Sequence, residues 1–239
     1  MMVRLACEAF KKYCERQQRA AALFLRIAPM LEQPLKFFVV FFVVVEPVSL
    51  IPLFTGLTAG AASAYKRRMA LKAVTVAAAI LLLFALGGAA FLKLMGISLE
   101  AFRIFGGLLL FLLALEMVFA RESGTRTSSD EAAESRRRAD ISVFPLAFPF
   151  IAGPGALATI LLWFGPLRLT AQTALFSAYV VGVLLVLAIA LALMLLADPL
   201  MRVIGVTGAN VASRLLGVIL GALAVQFVLD GLRQAFGMS

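Results

Sequence analysis

The chain has 239 residues, 63% of them hydrophobic and only 15% charged, with a mean hydropathy of +1.02. A soluble domain needs about a quarter of its residues charged to wet its surface, so a soluble globular fold is excluded and the surplus apolar area must face lipid. The net charge of +9 would suit nucleic acid, but the basic residues stand in short runs between apolar stretches (Lys66, Arg67, Arg68; Arg136, Arg137, Arg138), as in the cytoplasmic loops of membrane proteins, and nucleic acid is not an expected partner.

Residues 1–34 form a basic N-terminal extension that includes Arg4, Lys11, Lys12, Arg16, Arg19 and Arg26. Its charges are interleaved with apolar residues instead of preceding an apolar core, which is unlike a secretory signal. It reads as an interfacial amphipathic helix, or as sequence upstream of a true start at Met30. Cys7 and Cys14 lie here, and with no His in the chain a Cys/His metal site lacks ligands.

The first half, residues 35–120, holds three apolar stretches. They are 37–57 around Glu46, the uncharged run 73–92, and 104–120 around Glu116. Residues 121–140 are charged and Ser-rich without apolar periodicity, the pattern of a disordered solvated loop. The second half, 141–235, holds uncharged runs at 141–167 and 169–197, then 215–229 flanked by Arg214 and Asp230. Roughly 20 apolar residues cross a bilayer. The expected fold is therefore an all-α integral membrane protein of about six transmembrane helices.

The halves resemble each other. Gly96, Arg103 and Gly106 open the third stretch; Gly205, Arg214 and Gly217 open the sixth. Each of these two stretches carries a polar group near its far end, Glu116 or Gln226. Proline breaks at Pro47 and Pro154 stand 107 residues apart, and the two arginines 111. With three spans per half, the second copy would enter the membrane upside down, an inverted repeat of the kind found in secondary transporters. Short Arg/Gly coincidences in apolar sequence are the bland alternative. Loops after the first, third and fifth stretches carry eleven Lys/Arg against four in the segments of the other face, although the basic residues 1–36 would add seven to that face unless the chain starts at Met30. The loop at 121–140 is therefore expected in the cytoplasm and both termini outside.

Two motifs break the apolar stretches. In Val45-Glu46-Pro47-Val48-Ser49-Leu50-Ile51-Pro52, the prolines lack N–H groups and collide with the preceding turn, freeing backbone carbonyls at depth. Such carbonyls are tolerated only facing protein or a water-filled cavity, and a carboxylate beside them is a functional candidate by default. In Phe144-Pro145-Leu146-Ala147-Phe148-Pro149-Phe150-Ile151-Ala152-Gly153-Pro154-Gly155, no uninterrupted helix can form. A second half-helix is expected to restart with Pro154 near its first position, its free N–H groups suited to a carboxylate. A structural kink is the alternative for this motif, and a snorkelling or paired Glu46 for the first. Arg103, Glu116, Arg214 and Gln226 are further intramembrane polar candidates, the arginines also readable as interface anchors. Gly217-x-x-x-Gly221 reads as helix packing. No nucleophile elbow, phosphate loop or His/Cys set is present, so an enzyme is not expected.

At both motifs the chain resembles the MarC family of bacterial inner-membrane proteins, grouped with the LysE-type exporters. The resemblance rests on Glu46-Pro47 with Pro52-Leu53-Phe54, on Pro145-Leu146-Ala147-Phe148-Pro149 with Ala152-Gly153-Pro154-Gly155, and on Arg214-Leu215-Leu216-Gly217 with Ala224-Val225-Gln226-Phe227. Two positions depart from it: Glu46, where Asp or Asn is usual, and Ser49, where Gly is common. The resemblance implies a multi-pass protein of the bacterial inner membrane, and one branch of the family is associated with neutral amino-acid transport.

The resulting expectation is a secondary transporter or exporter of small neutral solutes, amino acids first among them. Its site would comprise Glu46, Pro47, Ser49, Pro52, Pro145, Pro149, Gly153, Pro154, Gly155 and Thr159, without cofactor or metal. Glu46 would couple to H+ or Na+. The alternative is a non-transporting membrane scaffold whose breaks serve packing alone. The expected partners are the lipid bilayer and a small solute; assembly with further copies of the chain stays open.

Overall fold

The structure, a computed structural model, describes residues 31–119, 140–167 and 172–237. The cysteines, the start at Met30, and the loop at 121–140 apart from Asp140 lie outside the described residues. All regular structure among the described residues is helical.

Helix α1 covers residues 31–45, so residues 31–34 of the basic extension are its first turn. A turn at 47–49 leads into α2 (Leu50–Leu57). Then come α3 (Ser63–Leu94), α4 (Leu99–Phe119), the π-type helix α5 (Ser142–Ile151), α6 (Pro154–Phe164), α7 (Thr173–Leu195) and α8 (Ala197–Ala235). Taking α1 with α2 as one span, five helices are long and apolar enough to cross a membrane, and six if the bent pair α5–α6 is one span.

Span limits differ from the charge-free windows where helices have polar ends. Helix α3 has 32 residues, about 48 Å at 1.5 Å per residue, and its first turns, Ser63–Arg68, stand outside the apolar run. Helix α8 turns at Gly205, whose φ of +66° and ψ of 172° interrupt it, and its apolar span begins at Thr207. Gly96, which precedes α4, has φ +69°. Thus the glycine before α4 and the glycine before the apolar span of α8 both have the positive φ that side chains avoid.

Helix α4 packs most extensively on α8. Small residues permit the close approach. A Cβ added at Gly107 would lie 2.9 Å from the Ala224 carbonyl oxygen, and one at Gly217 2.8 Å from Met117 Cβ. Helix α3 packs on α5, α6 and α7, α4 also on α6, and α2 on α7 and α8. Exchanging the halves turns the α2–α7 contact into α6–α3 and α2–α8 into α6–α4, and maps α3–α7 and α4–α8 onto themselves. The α3–α5 contact likewise answers to the seat of Phe37 of α1 on Tyr179 of α7.

The two ends of the bundle are chemically unlike. At one end Phe37 of α1, Trp163 and Phe164 of α6, and Phe176 and Tyr179 of α7 interlock, with ring centroids 4.8 to 5.8 Å apart. These are edge-to-face and tilted pairings, which aromatic quadrupoles favour. At the other end two ion pairs hold the helix starts together: Lys66 to Asp198 at 2.7 Å, and Lys72 to Asp140. Asp140 also accepts from the N–H and hydroxyl of Ser142. The Lys72 hydrogen bond first, then those of Ser142, hold its carboxyl well below the ordinary 3.8. Between the ends, α3, α4, α7 and α8 expose large apolar side chains such as Leu83, Leu108, Leu184 and Leu215, the surface a bilayer covers.

Candidate functional site

Pro47 has no N–H to give the Val43 carbonyl, so α1 stops at residue 45. The Glu46 N–H still donates to the Phe42 carbonyl at 3.0 Å, and the Ser49 N–H to the Glu46 carbonyl at 3.1 Å. Glu46 turns the chain with φ +53°, a left-handed conformation costly for a residue with a Cβ. Pro52 is the third residue of α2, where a missing N–H costs no helical bond.

The turn folds two side chains together. Glu46 is 1% exposed, and the Ser49 hydroxyl donates to its carboxylate Oε1. The Ser49 Oγ also lies 2.6 Å from the Oγ of Ser213 on α8. Ser49 has a single proton, committed to Glu46, so Ser213 is the donor in the second bond. A chain Ser213–Ser49–Glu46 therefore links the break in the first half to a helix of the second.

The second break is equally explicit. Phe144 and Phe148 have extended φ/ψ inside α5 and precede cis peptide bonds to Pro145 and Pro149, both buried. Gly153 is extended, and α6 restarts with Pro154 in its first turn and no side-chain cap, bent 54° from α5. A Cβ on Gly153 would lie 2.2 Å from the Pro149 carbonyl oxygen, and one on Gly155 2.8 Å from Leu110 and 3.4 Å from Val44. The α6 start is thus pressed against the end of α1 and against α4. A cavity of about 30 Å³ remains there, bounded by Val44, Leu109, Leu113, Pro149, Phe150 and the Gly153–Ala156 turn. That is room for about one water.

Of the sequence-predicted residues, Pro149, Gly153, Pro154 and Gly155 line this cavity, while Glu46 and Ser49 form the hydrogen-bonded chain. Thr159 is buried, but its hydroxyl donates to its own helix at the Gly155 carbonyl, 2.9 Å away. Arg103 and Glu116 are partly buried on α4, and Arg214 is exposed on α8. Gln226 is exposed and donates to Asp230 one turn along, at 2.8 Å. Sequence reasoning missed Ser213. Its signal was periodicity: Ser213, Gly217, Leu220 and Ala224 recur at helical spacing, and the last three are buried against the bundle, so Ser213 is the polar member of an inward stripe.

Residues 31–236 match the family described as MarC family integral membrane protein. The chain belongs to the MarC family. Among its relatives, the UPF0056 membrane protein YhcE of Escherichia coli is 34% identical over 84% of this chain and 92% of its own. A UPF0056 membrane protein of Aquifex aeolicus is 36% identical over 83% and 91%. The UPF0056 membrane protein YvbG of Bacillus subtilis is 34% identical over 83% and 93%. No solved structure matches.

In this MarC protein the Ser49–Ser213 bond is expected to couple two halves, and double-mutant analysis measures it. Ser213→Ala should cost about 1 kcal/mol. Ser49→Ala should cost at least as much, and the double variant clearly less than the sum of the two. Thermal unfolding in one detergent provides all four values; additive losses would show that the hydroxyls do not interact.

Proposed function

We propose that this MarC protein is a secondary transporter or exporter of small neutral solutes, amino acids first among them, across the bacterial inner membrane. The observation that carries this reading is the buried Glu46 at a helix break, bonded through Ser49 to Ser213 of the other half. Ionisable groups are placed at such depth at a cost of about 2.5–3.5 kcal/mol, and packing alone gives no return on it. Glu46 follows the C-terminal end of α1, where the helix dipole favours a cation, so it is assigned the coupling of H+ or Na+. The start of α6, beside the water-sized cavity, is assigned the solute carboxylate. No catalytic step is involved.

The exchange of helix contacts between halves supports an inverted repeat, and with it alternating access around a midplane site. The unlike ends support it too, since one is filled by aromatic rings and the other carries the Lys66–Asp198 and Lys72–Asp140 ion pairs. The excess of Lys/Arg in the loops at the charged end supports a cytoplasmic place for that end, with both termini outside. A scaffold is the second reading, and the small apolar cavity at the α5–α6 break is what favours it. Uptake of labelled alanine into proteoliposomes decides between them. A transporter gives uptake above protein-free liposomes that Glu46→Gln removes; a scaffold gives none with any solute of the class.

A further inference from the structure

Two adjoining cavities open to the surface lie at the charged end, the first a cleft with about 360 Å³ of free space and the second a shallower one with about 420 Å³. Both are lined by Lys66 of α3 and Asp198 of α8, whose ion pair stands between them. Arg67 adds a second cation to the first cavity and Arg202 one to the other. Three cations against one carboxylate leave a surplus of two positive charges. The remaining walls mix apolar and hydroxyl side chains, Phe54, Met194 and Leu195 with Ser63 in the first cavity and Met201 with Thr55 in the second. No solute role assigned above uses this place.

We propose that these cavities form a site for a phosphate-bearing anion attached to a short apolar body, the chemistry of a glycerophospholipid headgroup. Two guanidiniums on different helices can each offer a planar fork to phosphate oxygens. Lys66, tied to Asp198, supplies a point charge between them. Phe54 and Met201 suit a glycerol backbone and the first methylenes of an acyl chain. The position fits as well: the ion-paired helix starts lie where apolar spans give way to charged sequence, the depth at which headgroups sit. Basic pockets between helices at the cytoplasmic boundary are a recurrent means of holding anionic lipid. The site ties α3 of the first half to α8 of the second, next to the Gly205 turn.

The test uses the full-length protein in a neutral detergent, with phosphatidylglycerol, phosphatidylcholine, glycerol 3-phosphate and inorganic phosphate as separate additions. Phosphatidylglycerol should raise the melting temperature saturably, because a ligand that binds only the folded state stabilises it; phosphatidylcholine should raise it far less. The double variant Arg67→Gln/Arg202→Gln should weaken the apparent affinity about thirtyfold, the worth of two interfacial cations. Lys93→Gln/Arg233→Gln, which removes two cations from α3 and α8 outside these cavities, should leave it unchanged. Asp198→Asn removes the one anionic wall and frees Lys66, so binding should tighten even if the double variant fails to fold. A response to glycerol 3-phosphate or phosphate equal to that of the lipid would assign the site to a soluble phosphate compound; a response to the lipid alone assigns it to the bilayer. Equal shifts from phosphatidylcholine and phosphatidylglycerol, or weaker binding in Asp198→Asn, would overturn the proposal.

Discussion

Gly107→Ala is expected to lower the stability of the protein by about 1–3 kcal/mol, the range for an overpacked interior, although it adds a single methyl group. The added carbon would meet Val228 Cγ2 at 2.8 Å, the Ala224 carbonyl oxygen at 2.9 Å and the Val228 nitrogen at 3.0 Å. Two of those three atoms are backbone and cannot rotate away, so α4 and α8 would have to part. This pair is the most extensive helix contact in the bundle, and apolar side chains gain little from leaving lipid for protein, so close packing is what holds it. Gly87→Ala provides the control. Nothing lies within 4 Å of its added carbon, and exchanging an exposed helical glycine for alanine should stabilise by about 0.5–1 kcal/mol. Thermal unfolding of the two variants should therefore move in opposite directions. A stable Gly107→Ala protein would mean that α4 and α8 are not in this contact.

Glu46→Gln is expected to abolish solute uptake without lowering stability. The substitution keeps the shape and the hydrogen bond from Ser49 while removing a charge that is expensive at this depth, so the melting temperature should hold or rise. Glu46→Asn should raise it further. Asn adopts the left-handed conformation more readily than Glu, and the residue here has φ +53°. A site that becomes more stable as it loses activity is the signature of a functional residue held under strain. Proteoliposome uptake and thermal unfolding, measured on the same preparations, separate the two effects. Loss of both together would reduce Glu46 to a structural group.

Much of the fold was readable because lipid imposes a simple demand, a run of apolar residues long enough to cross it. The six stretches and the breaks at Pro47 and Gly153-Pro154-Gly155 follow from that demand and from the stereochemistry of proline. Helix lengths were harder to read. Ser63–Arg68 and Asp198–Ile204 are helical yet polar or set off by the Gly205 turn, and charge-free windows cut them off. The site was legible in part. Glu46 and Ser49 announced themselves as polar groups beside a break, but which helix would meet them depended on tertiary packing 164 residues away. Thr159 illustrates the converse: a hydroxyl in the right span, already committed to its own backbone. Only the packed bundle brings the ion pairs and their cavities together, since Lys66 and Asp198 are 132 residues apart.

The most direct test of the central claim is a thermal-shift panel of L- and D-amino acids on the purified protein. The transporter reading predicts a saturable shift with one stereoisomer of at least one neutral amino acid, removed by Glu46→Gln and reduced by Ser213→Ala. A panel without any shift, or a shift that survives Glu46→Gln undiminished, would contradict a solute site at the Glu46 break.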